Sequence, residues 1–135
     1  MNDVTVVSAP AARASNASKI YGKGDTLVTA LDSVDVAFQA GKFSAIMGPS
    51  GSGKSTLMHC MAGLDNLSSG KVFIGETDLT ELNEKELTLL RRSNVGFIFQ
   101  SFNLVPTLNA LENITLPIDL SGNEVDTYWV NQVTE

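Results

Sequence analysis

The sequence predicts an α/β fold with a mainly parallel sheet and flanking helices, and three observations predict it. Residues 43–47 form a short, nearly continuous apolar run, which is typical of a strand buried on both faces. Apolar residues at helical spacing follow closely, at Leu57, Met58, Met61 and Leu64. A glycine-rich turn lies between the two, at residues 48–53. A buried strand, a turn and a helix in this order form the repeating unit of parallel α/β sheets.

Strands are also predicted on the N-terminal side of this unit. Val34, Val36 and Phe38 alternate with Asp35 and Ala37, which is the period of a half-buried strand. Residues 1–18 are rich in Ala and Ser, and we expect a flexible tail over residues 1–11 that runs into a weak first strand. The main domain is then predicted over residues 12–122, and residues 123–135 begin a helical part.

A further strand and a capped helix are predicted after the first helix. Gly63 is expected to end that helix, and residues 72–74 are predicted as a brief strand. Asn83 and Glu86 have the spacing of a capping box, so a helix is expected to begin there. Arg91 and Arg92 follow where positive charge suits the end of a helix.

The last third of the chain is predicted as one buried strand, at residues 95–99, and two helices. Pro117 is expected to kink or end the first of these helices. Ser121 and Glu124 have capping-box spacing and are expected to begin the second. The apolar residues at helical spacing are Leu111, Ile114 and Ile118 in the first helix and Val125, Trp129 and Val133 in the second.

The composition indicates one small globular domain. The chain has 135 residues, of which 43% are hydrophobic and 18% charged, enough apolar material for a core. The net charge is −6 and the 9 basic residues all precede Ser93, which disfavours binding to nucleic acid or anionic lipid. No apolar run is long enough to span a bilayer, residues 1–18 lack the apolar core of a secretory signal, and the single Cys60 fits a reducing compartment.

One motif points directly to chemistry. Its residues match the phosphate-loop pattern Gly-x-x-x-x-Gly-Lys-Ser/Thr, and they are Gly48, Pro49, Ser50, Gly51, Ser52, Gly53, Lys54 and Ser55. The glycines allow backbone N–H groups as far as Thr56 to surround a β-phosphate. Lys54 would lie between the β- and γ-phosphates, and the Ser55 hydroxyl would bind Mg²⁺. A glycine-rich turn without a ligand is the alternative, and the position of the motif between strand and helix disfavours it.

With this motif in place, the sequence resembles the ATP-binding subunits of ABC transporters. The similar branch serves lipoprotein release, macrolide export and antimicrobial-peptide export. The resemblance covers residues 12–122 and implies a P-loop NTPase core with an antiparallel β subdomain, here truncated. It rests on the phosphate loop and on Ser-Lys-Ile-Tyr-Gly at 18–22, Ala-Gly-Leu-Asp at 62–65, Ser-Gly at 69–70, Arg-Arg at 91–92, Val-Gly-Phe-Ile-Phe-Gln at 95–100 and Ala-Leu-Glu-Asn at 110–113.

The resemblance implies roles for residues outside the loop. Tyr21 occupies the position of the family's adenine-stacking aromatic residue; the alternative is a core tyrosine at a strand end. Gln100 occupies the position of the Q-loop glutamine, which reaches toward Mg²⁺ and the attacking water; the alternative is a polar residue that merely ends a strand. Lys54 and Gln100 are therefore the catalytic candidates, and Ser55 and Gln100 the candidate metal ligands. The segment from Ser101 to Asn113 would receive a membrane permease, although its apolar residues Phe102, Leu104 and Val105 could equally be core.

The function implied is binding of ATP and Mg²⁺ in a subunit that couples ATP hydrolysis to transport. Such a subunit would lie on the cytoplasmic face of the membrane, held by a permease and paired with a second nucleotide-binding subunit. One alternative is a non-catalytic fragment that docks on a permease or on a full-length partner. Another is a P-loop GTPase or kinase, which lacks support because residues 83–86, Asn-Glu-Lys-Glu, do not match the guanine-reading Asn-Lys-x-Asp element.

Three elements that the family uses for hydrolysis have no counterpart in these 135 residues. They are an apolar strand that ends in Asp-Glu, the Leu-Ser-Gly-Gly-Gln signature and the switch histidine. Residues 67–70, Leu-Ser-Ser-Gly, come too soon after the phosphate loop to be the signature. We therefore expect ATP binding without full hydrolytic activity. In the family the strand at 43–47 pairs with the Asp-Glu strand, so we expect that edge to lack its partner.

Other candidate residues favour structural roles. His59 lies off the apolar stripe of its helix, too early in the chain to be the switch histidine. Cys60, Met58 and Met61 are predicted to pack in the core. The acidic run over residues 76–86 has no metal-ligand spacing and is predicted to be a solvated face.

Overall fold

A computed structural model describes residues 9–99, 101 and 103–134. The strands found there are β1 (Pro10–Tyr21), β2 (Val28–Gln39), β3 (Ser69–Ile74) and β4 (Thr77–Asp78). The helices are α1 (Lys54–Met61), α2 (Glu84–Asn94), α3 (Ala110–Ser121) and α4 (Thr127–Thr134). Short 3₁₀ turns lie at Gly24–Thr26 and Leu79–Glu81. The strands form an antiparallel sheet in the order β2-β1-β3-β4.

Strand β1 pairs with both long neighbours, and α1 packs on the sheet. Ala14 of β1 faces Val36 of β2 on one side and Val72 of β3 on the other. Helix α1 contacts β1, β2 and β3. Removal of apolar surface from water stabilises this layer, and its buried side chains are Ala14, Ala17, Leu31, Leu57, Cys60, Met61 and Val72.

A glycine allows β3 to start close to β1. Gly70 has φ +89°, and a Cβ atom there would lie 2.1 Å from the Asn16 carbonyl oxygen. Any other residue would push the two strands apart at this point. Glycine at this position therefore allows the first residues of β3 to lie against β1.

Several local predictions are confirmed. In β2, Val34, Val36 and Phe38 are half-buried while Asp35 and Ala37 are exposed. Asn83 and Glu86 form the reciprocal capping box: the Glu86 N–H donates to Asn83 Oδ1 (3.1 Å) and the Asn83 N–H donates to Glu86 Oε2 (2.8 Å). Arg91 and Arg92 lie in the last turn of α2, and Gly63 follows α1 with φ +66°. One boundary differs from the prediction, because strand β1 begins at Pro10 and so includes the last two residues of the segment 1–11 that was predicted as a flexible tail.

Two strand predictions are wrong. Residues 43–47 and 95–99 form no regular secondary structure, and Phe43 and Ile98 are 102% and 100% exposed. A strand exists only when another strand satisfies its N–H and C=O groups. No segment in the described part of the chain pairs with either run. Both strands were predicted from an apolar run alone. An apolar run forms a buried strand only where a second strand pairs with it.

The predicted apolar faces of the helices are partly wrong. Met58 and Leu64 are 49% and 46% exposed, because the buried face of α1 consists of Leu57, Cys60 and Met61. Helix α3 continues past Pro117 to Ser121, so the proline does not end it. The predicted stripes of α3 and α4 are also largely exposed at Leu111, Ile114, Trp129 and Val133, and the buried residue of α4 is Val130.

The start of α4 also differs from the prediction. Ser121 ends α3, and α4 begins at Thr127. Asp126 caps it, because the Trp129 N–H donates to Asp126 Oδ1 at 3.0 Å. Asp126 is as good a capping residue as the predicted Ser121, and it lies closer to the start of α4 than Ser121 does.

The chain divides into two compact units, Met1–Leu87 and Thr88–Glu135. The first contains the sheet and α1, and the second contains α3 and α4. The division falls inside the segment 12–122 that the sequence treats as one domain. Among the described residues no helix is both long and apolar enough to cross a bilayer.

The packing of α1 on the sheet leads to a stability prediction. Val72→Ala removes buried methyl groups from a side chain that is 2% exposed, and we expect it to lower the free energy of unfolding by about 1–3 kcal/mol. Val28→Ala is the matched control, because Val28 is 59% exposed in the same sheet, and its effect should stay within about 0.5 kcal/mol. Urea unfolding measures both, and equal losses would contradict this account of the core.

Candidate functional site

The predicted phosphate loop precedes α1 and is held against β2. Gly53 is the N-cap of α1, with the left-handed φ of +84°. A Cβ atom there would lie 2.4 Å from the Ala30 carbonyl oxygen of β2. Only glycine fits this conformation and this approach. The residue thus fixes where the loop ends and where the helix begins.

Backbone donors are available at the start of α1. The helix hydrogen-bond series begins with the Leu57 N–H, which donates to the Gly53 carbonyl at 2.8 Å. The N–H groups of Lys54, Ser55 and Thr56 precede it and make no hydrogen bond to another described residue. The first N–H groups of a helix have no partner within the helix, and they carry partial positive charge. They are suited to bind an anion.

Lys54 lies over the loop. Its Nζ donates to the Pro49 carbonyl and lies 3.4 Å from Ser52 Oγ. The Ser52 N–H also donates to the Pro49 carbonyl, at 3.3 Å. The ammonium group is therefore placed above the turn by neutral oxygen atoms, which an anionic oxygen would outcompete.

A cleft of about 350 Å³ borders the loop on the side of β2 and α1. Besides loop residues its lining is mainly apolar, with Leu31, Val34, Ile46, Met47 and Leu57. An anion requires N–H groups and cations around it, and in this lining they come from loop residues, among them Gly53 and Lys54. The candidate anion site is therefore the end of the cleft at the start of α1, where the loop residues lie.

Tyr21 lies at the end of β1, beside the first turn of α1. Its hydroxyl donates to Asp65 Oδ2 at 2.6 Å and interacts with the side chain of Thr56. Tyr21 is 41% exposed. The bond to the Asp65 carboxylate is the main reason that the pKa of Tyr21 is raised, and the contact with Thr56 opposes it. The structure therefore brings Tyr21 next to Thr56, in the first turn of α1.

Asp65 joins Tyr21 to Lys19. Lys19 Nζ donates to Asp65 Oδ1 and to the Asn66 carbonyl, each at 2.6 Å. These contacts lower the pKa of Asp65, chiefly through the bond from Lys19 and then through that from Tyr21, and the bond to Asp65 raises the pKa of Lys19. Asp65 belongs to the Ala-Gly-Leu-Asp stretch at 62–65, whose sequence alone predicts no role for it. A signal was present, since Lys19 and Tyr21 are two residues apart and share one face of the strand.

Gln100 and Phe102 lie outside the described residues. In the second unit, the side chain of Asn113 organises the part of the chain from Val105 to Asn109. The Asn113 amide accepts from the Val105 N–H at 2.7 Å and donates to the carbonyls of Val105, Leu108 and Asn109. Asn109 and Glu112 form a capping box, at 2.7 and 2.9 Å. Sequence reasoning missed this box, although Asn-x-x-Glu is its usual spacing.

The remaining candidates have structural settings. His59 is exposed on α1, and Cys60 is buried, which raises the pKa of its thiol. In the acidic run, Asp78 pairs with Lys71 at 2.6 Å. The described residues contain no group of three or more His, Cys, Asp or Glu side chains that could hold a metal ion.

Comparisons with known proteins identify relatives. The sequence profile of the ABC transporter family matches residues 31–135. The chain is 45% identical over 103 residues to an uncharacterized ABC transporter ATP-binding protein of Methanocaldococcus jannaschii, covering 76% of this chain and 44% of that protein. It is 41% identical over 125 residues to the lipoprotein-releasing system ATP-binding protein LolD of Legionella pneumophila, covering 93% and 52%. It is 47% identical over 100 residues to the macrolide export ATP-binding/permease protein MacB of Bdellovibrio bacteriovorus, covering 74% and 15%.

A solved structure has the same fold. It is a dimeric ATP-binding cassette in a post-hydrolysis state with ADP and Pi bound, and it matches with a TM-score of 0.78 and 40% identity over 86% of this chain and 50% of that one. This match confirms the predicted α/β fold class. The strand pairings among the described residues are all antiparallel, so they form the predicted antiparallel β part and not the predicted parallel sheet. The chain spans about half the length of the ATP-binding proteins it matches.

The ion pair between Lys19 and Asp65 predicts a dependence of stability on pH. Because the pKa of Asp65 is lower in the folded chain than in the unfolded one, its charge stabilises the fold above about pH 4. This contribution is lost as the pH falls through the folded pKa. We expect Asp65→Asn to cost about 1 kcal/mol or less near neutral pH, and less still in acid.

Urea unfolding from neutral to acid pH measures this difference. Asp25→Asn is the matched control, because Asp25 is exposed and makes no side-chain hydrogen bond to another described residue. A cost of Asp65→Asn that grows as the pH falls would contradict the prediction.

Proposed function

The chain belongs to the ABC transporter family, and we propose that its residues 48–56 bind ATP as part of a transporter ATPase subunit. The observation that carries the proposal is the start of α1, where the N–H groups of Lys54, Ser55 and Thr56 have no described partner and the Lys54 ammonium group binds oxygen atoms of the preceding loop. In addition, the relatives are named as ATP-binding proteins, and the matching structure contains ADP and Pi.

The phosphates would be bound by backbone groups and one cation. The N–H groups from Gly53 to Thr56 can each donate to a phosphate oxygen, and the N-terminus of α1 adds its positive potential. Lys54 would exchange the Pro49 carbonyl and the Ser52 hydroxyl for oxygens of the β- and γ-phosphates. The charge-assisted bonds that result are stronger than those they replace.

Tyr21 would contact the adenine. Its ring is partly exposed, and its hydroxyl is anchored at Asp65 and Thr56, so the ring lies within reach of a nucleotide whose phosphates are at α1. A flat aromatic ring covers a base with little loss of conformational freedom. This assignment follows the sequence resemblance and is supported by the position of the ring.

The residues present suit Mg²⁺ that arrives with the nucleotide. The Ser55 hydroxyl is exposed in the first turn of α1, and a hydroxyl oxygen is a ligand that Mg²⁺ accepts beside phosphate oxygens and water. We propose Gln100 as the second protein ligand. When bound, Mg²⁺ would neutralise charge on the β- and γ-phosphates.

We propose that hydrolysis depends on residues beyond those in this chain. Phosphoryl transfer is accelerated by groups that position the metal ion and the attacking water. Lys54, Ser55 and Gln100 supply one part of such a set. The Asp-Glu strand, the signature and the switch histidine have no counterpart in the 135 residues, so this chain is expected to bind ATP without appreciable turnover.

The partners proposed are a membrane permease, bound through the segment from Ser101 to Asn113, and a second nucleotide-binding subunit. Within the segment the Asn113 side chain is bonded to Val105, Leu108 and Asn109. Leu104 (66% exposed) and Leu111 (56% exposed) lie at the surface. Apolar side chains on an ordered loop favour protein contact. The subunit would then lie on the cytoplasmic face of the membrane and support transport. Docking on a permease without ATP binding is the second candidate function, favoured by the same exposed residues.

Calorimetric titration of Mg-ATP tests the proposed site. Lys54→Ala removes the ammonium group that binds the Pro49 carbonyl of the loop, and we expect the affinity for ATP to fall by about tenfold or more. Lys42→Ala is the control, because Lys42 is an exposed lysine that precedes the loop, and it should leave the affinity within about twofold. Equal affinities of Lys54→Ala and the wild type would refute the role of Lys54, and a wild type that does not bind ATP would favour the docking function.

A further inference from the structure

The contacts of Asp65 link two parts of the candidate nucleotide site. Its carboxylate accepts from the Tyr21 hydroxyl on one oxygen and from Lys19 Nζ on the other, both at 2.6 Å. Lys19 and Tyr21 belong to β1, whereas Asp65 lies in the segment that follows α1. The same Lys19 Nζ donates to the Asn66 carbonyl at 2.6 Å. The end of β1 is therefore bound to the chain that leaves the phosphate-loop helix.

These contacts restrain the ring of Tyr21. A tyrosine at a strand end, followed by Gly22 at φ +85°, would otherwise change rotamer freely. Asp65 holds its hydroxyl, and Lys19 Nζ lies 4.8 Å from the ring centroid. A cation at this distance is attracted to the ring. The bond to Asp65 and the cation together define the plane of the ring.

We propose that Asp65 is a positioning residue for the base of the nucleotide, acting through the Tyr21 hydroxyl. The inference rests on the proposed function. Stacking on a base is more favourable when the ring is already in the required plane, because ordering the ring on binding costs free energy. In the proposed arrangement Asp65 contacts neither the base nor the phosphates. Its loss would weaken the contact with adenine and leave the contacts with the phosphates in place.

The test compares two ligands that share phosphates and differ in the base. Calorimetry with ATP and with inorganic tripolyphosphate, both with Mg²⁺, is carried out on the wild type and on Asp65→Ala. We expect Asp65→Ala to weaken ATP binding by about threefold to tenfold and tripolyphosphate binding by less than about twofold. Preserved tripolyphosphate binding also shows that the loop is folded in the variant.

Asp78→Ala is the matched control. Asp78 is also an aspartate that pairs with a lysine at 2.6 Å, in the same sheet, and it has no contact with Tyr21 among the described residues. It should change neither affinity. Asp65→Asn retains the size of the side chain and an acceptor for the Tyr21 hydroxyl, so its loss of ATP affinity should be smaller than that of Asp65→Ala.

A double-mutant cycle separates positioning from a general structural effect. Tyr21→Phe keeps the ring and removes the hydroxyl through which Asp65 acts. We expect Asp65→Ala to cause no further loss of ATP affinity in the background of Tyr21→Phe. An additive loss in the double variant, an equal loss for ATP and tripolyphosphate, or an unchanged ATP affinity of Asp65→Ala would each overturn the inference.

The same experiment distinguishes failure of the inference from failure of the proposed function. A wild type that binds both ligands, with Lys54→Ala weakened for both and Asp65→Ala for neither, would refute only the role of Asp65. A wild type that binds neither ligand would overturn both proposals.

Discussion

The close approach of Gly53 to the Ala30 carbonyl oxygen is the constraint on which the candidate site depends. A Cβ atom would lie 2.4 Å from that oxygen, so the chain can pass β2 here only without a side chain. At this point it also adopts a left-handed conformation and starts α1. The N–H groups of the next three residues are thereby held together at one edge of β2. An anion site made of backbone groups exists only where the backbone is held in this way.

Strand β1 connects the candidate site, which lies beside β2, to β3 on the other side of β1. It pairs with β2, which carries Ala30, and with β3, whose first residues approach it closely because Gly70 lies against the Asn16 carbonyl. Its last residues, Lys19 and Tyr21, reach Asp65 beyond the end of α1. The loop and Tyr21 are therefore both attached to α1 and to the sheet. The distance between them is set by the length of α1 and by the pairing of β1, which are both regular secondary structure.

What the sequence could predict was local. The phosphate-loop motif, the capping box of Asn83 and Glu86, and the alternation in β2 are each contained in a few consecutive residues, and the structure forms the capping box and the alternation. Predictions that needed a distant partner were less successful. The apolar runs at 43–47 and 95–99 required strands to pair with, and the apolar side of α1 depended on the elements it meets, so that Cys60 is buried and Met58 is exposed. The contact of Asp65 with Tyr21 spans 44 positions, and only the shared strand face of Lys19 and Tyr21 hinted at it.

The exposed run at 43–47 changes how the loop must be held. In a parallel sheet the strand before a phosphate loop would fix its first residues, but here that run has no described partner. The first half of the loop is instead attached to the second half at one atom, the Pro49 carbonyl oxygen, which accepts from the Ser52 N–H and from Lys54 Nζ. In this structure Lys54 closes the loop through its bond to the Pro49 carbonyl. In the proposed site a triphosphate would replace that carbonyl at the ammonium group and would then join the two halves of the loop. Part of the binding free energy of the nucleotide would then order the loop, and a strand paired with residues 43–47 would reduce that cost.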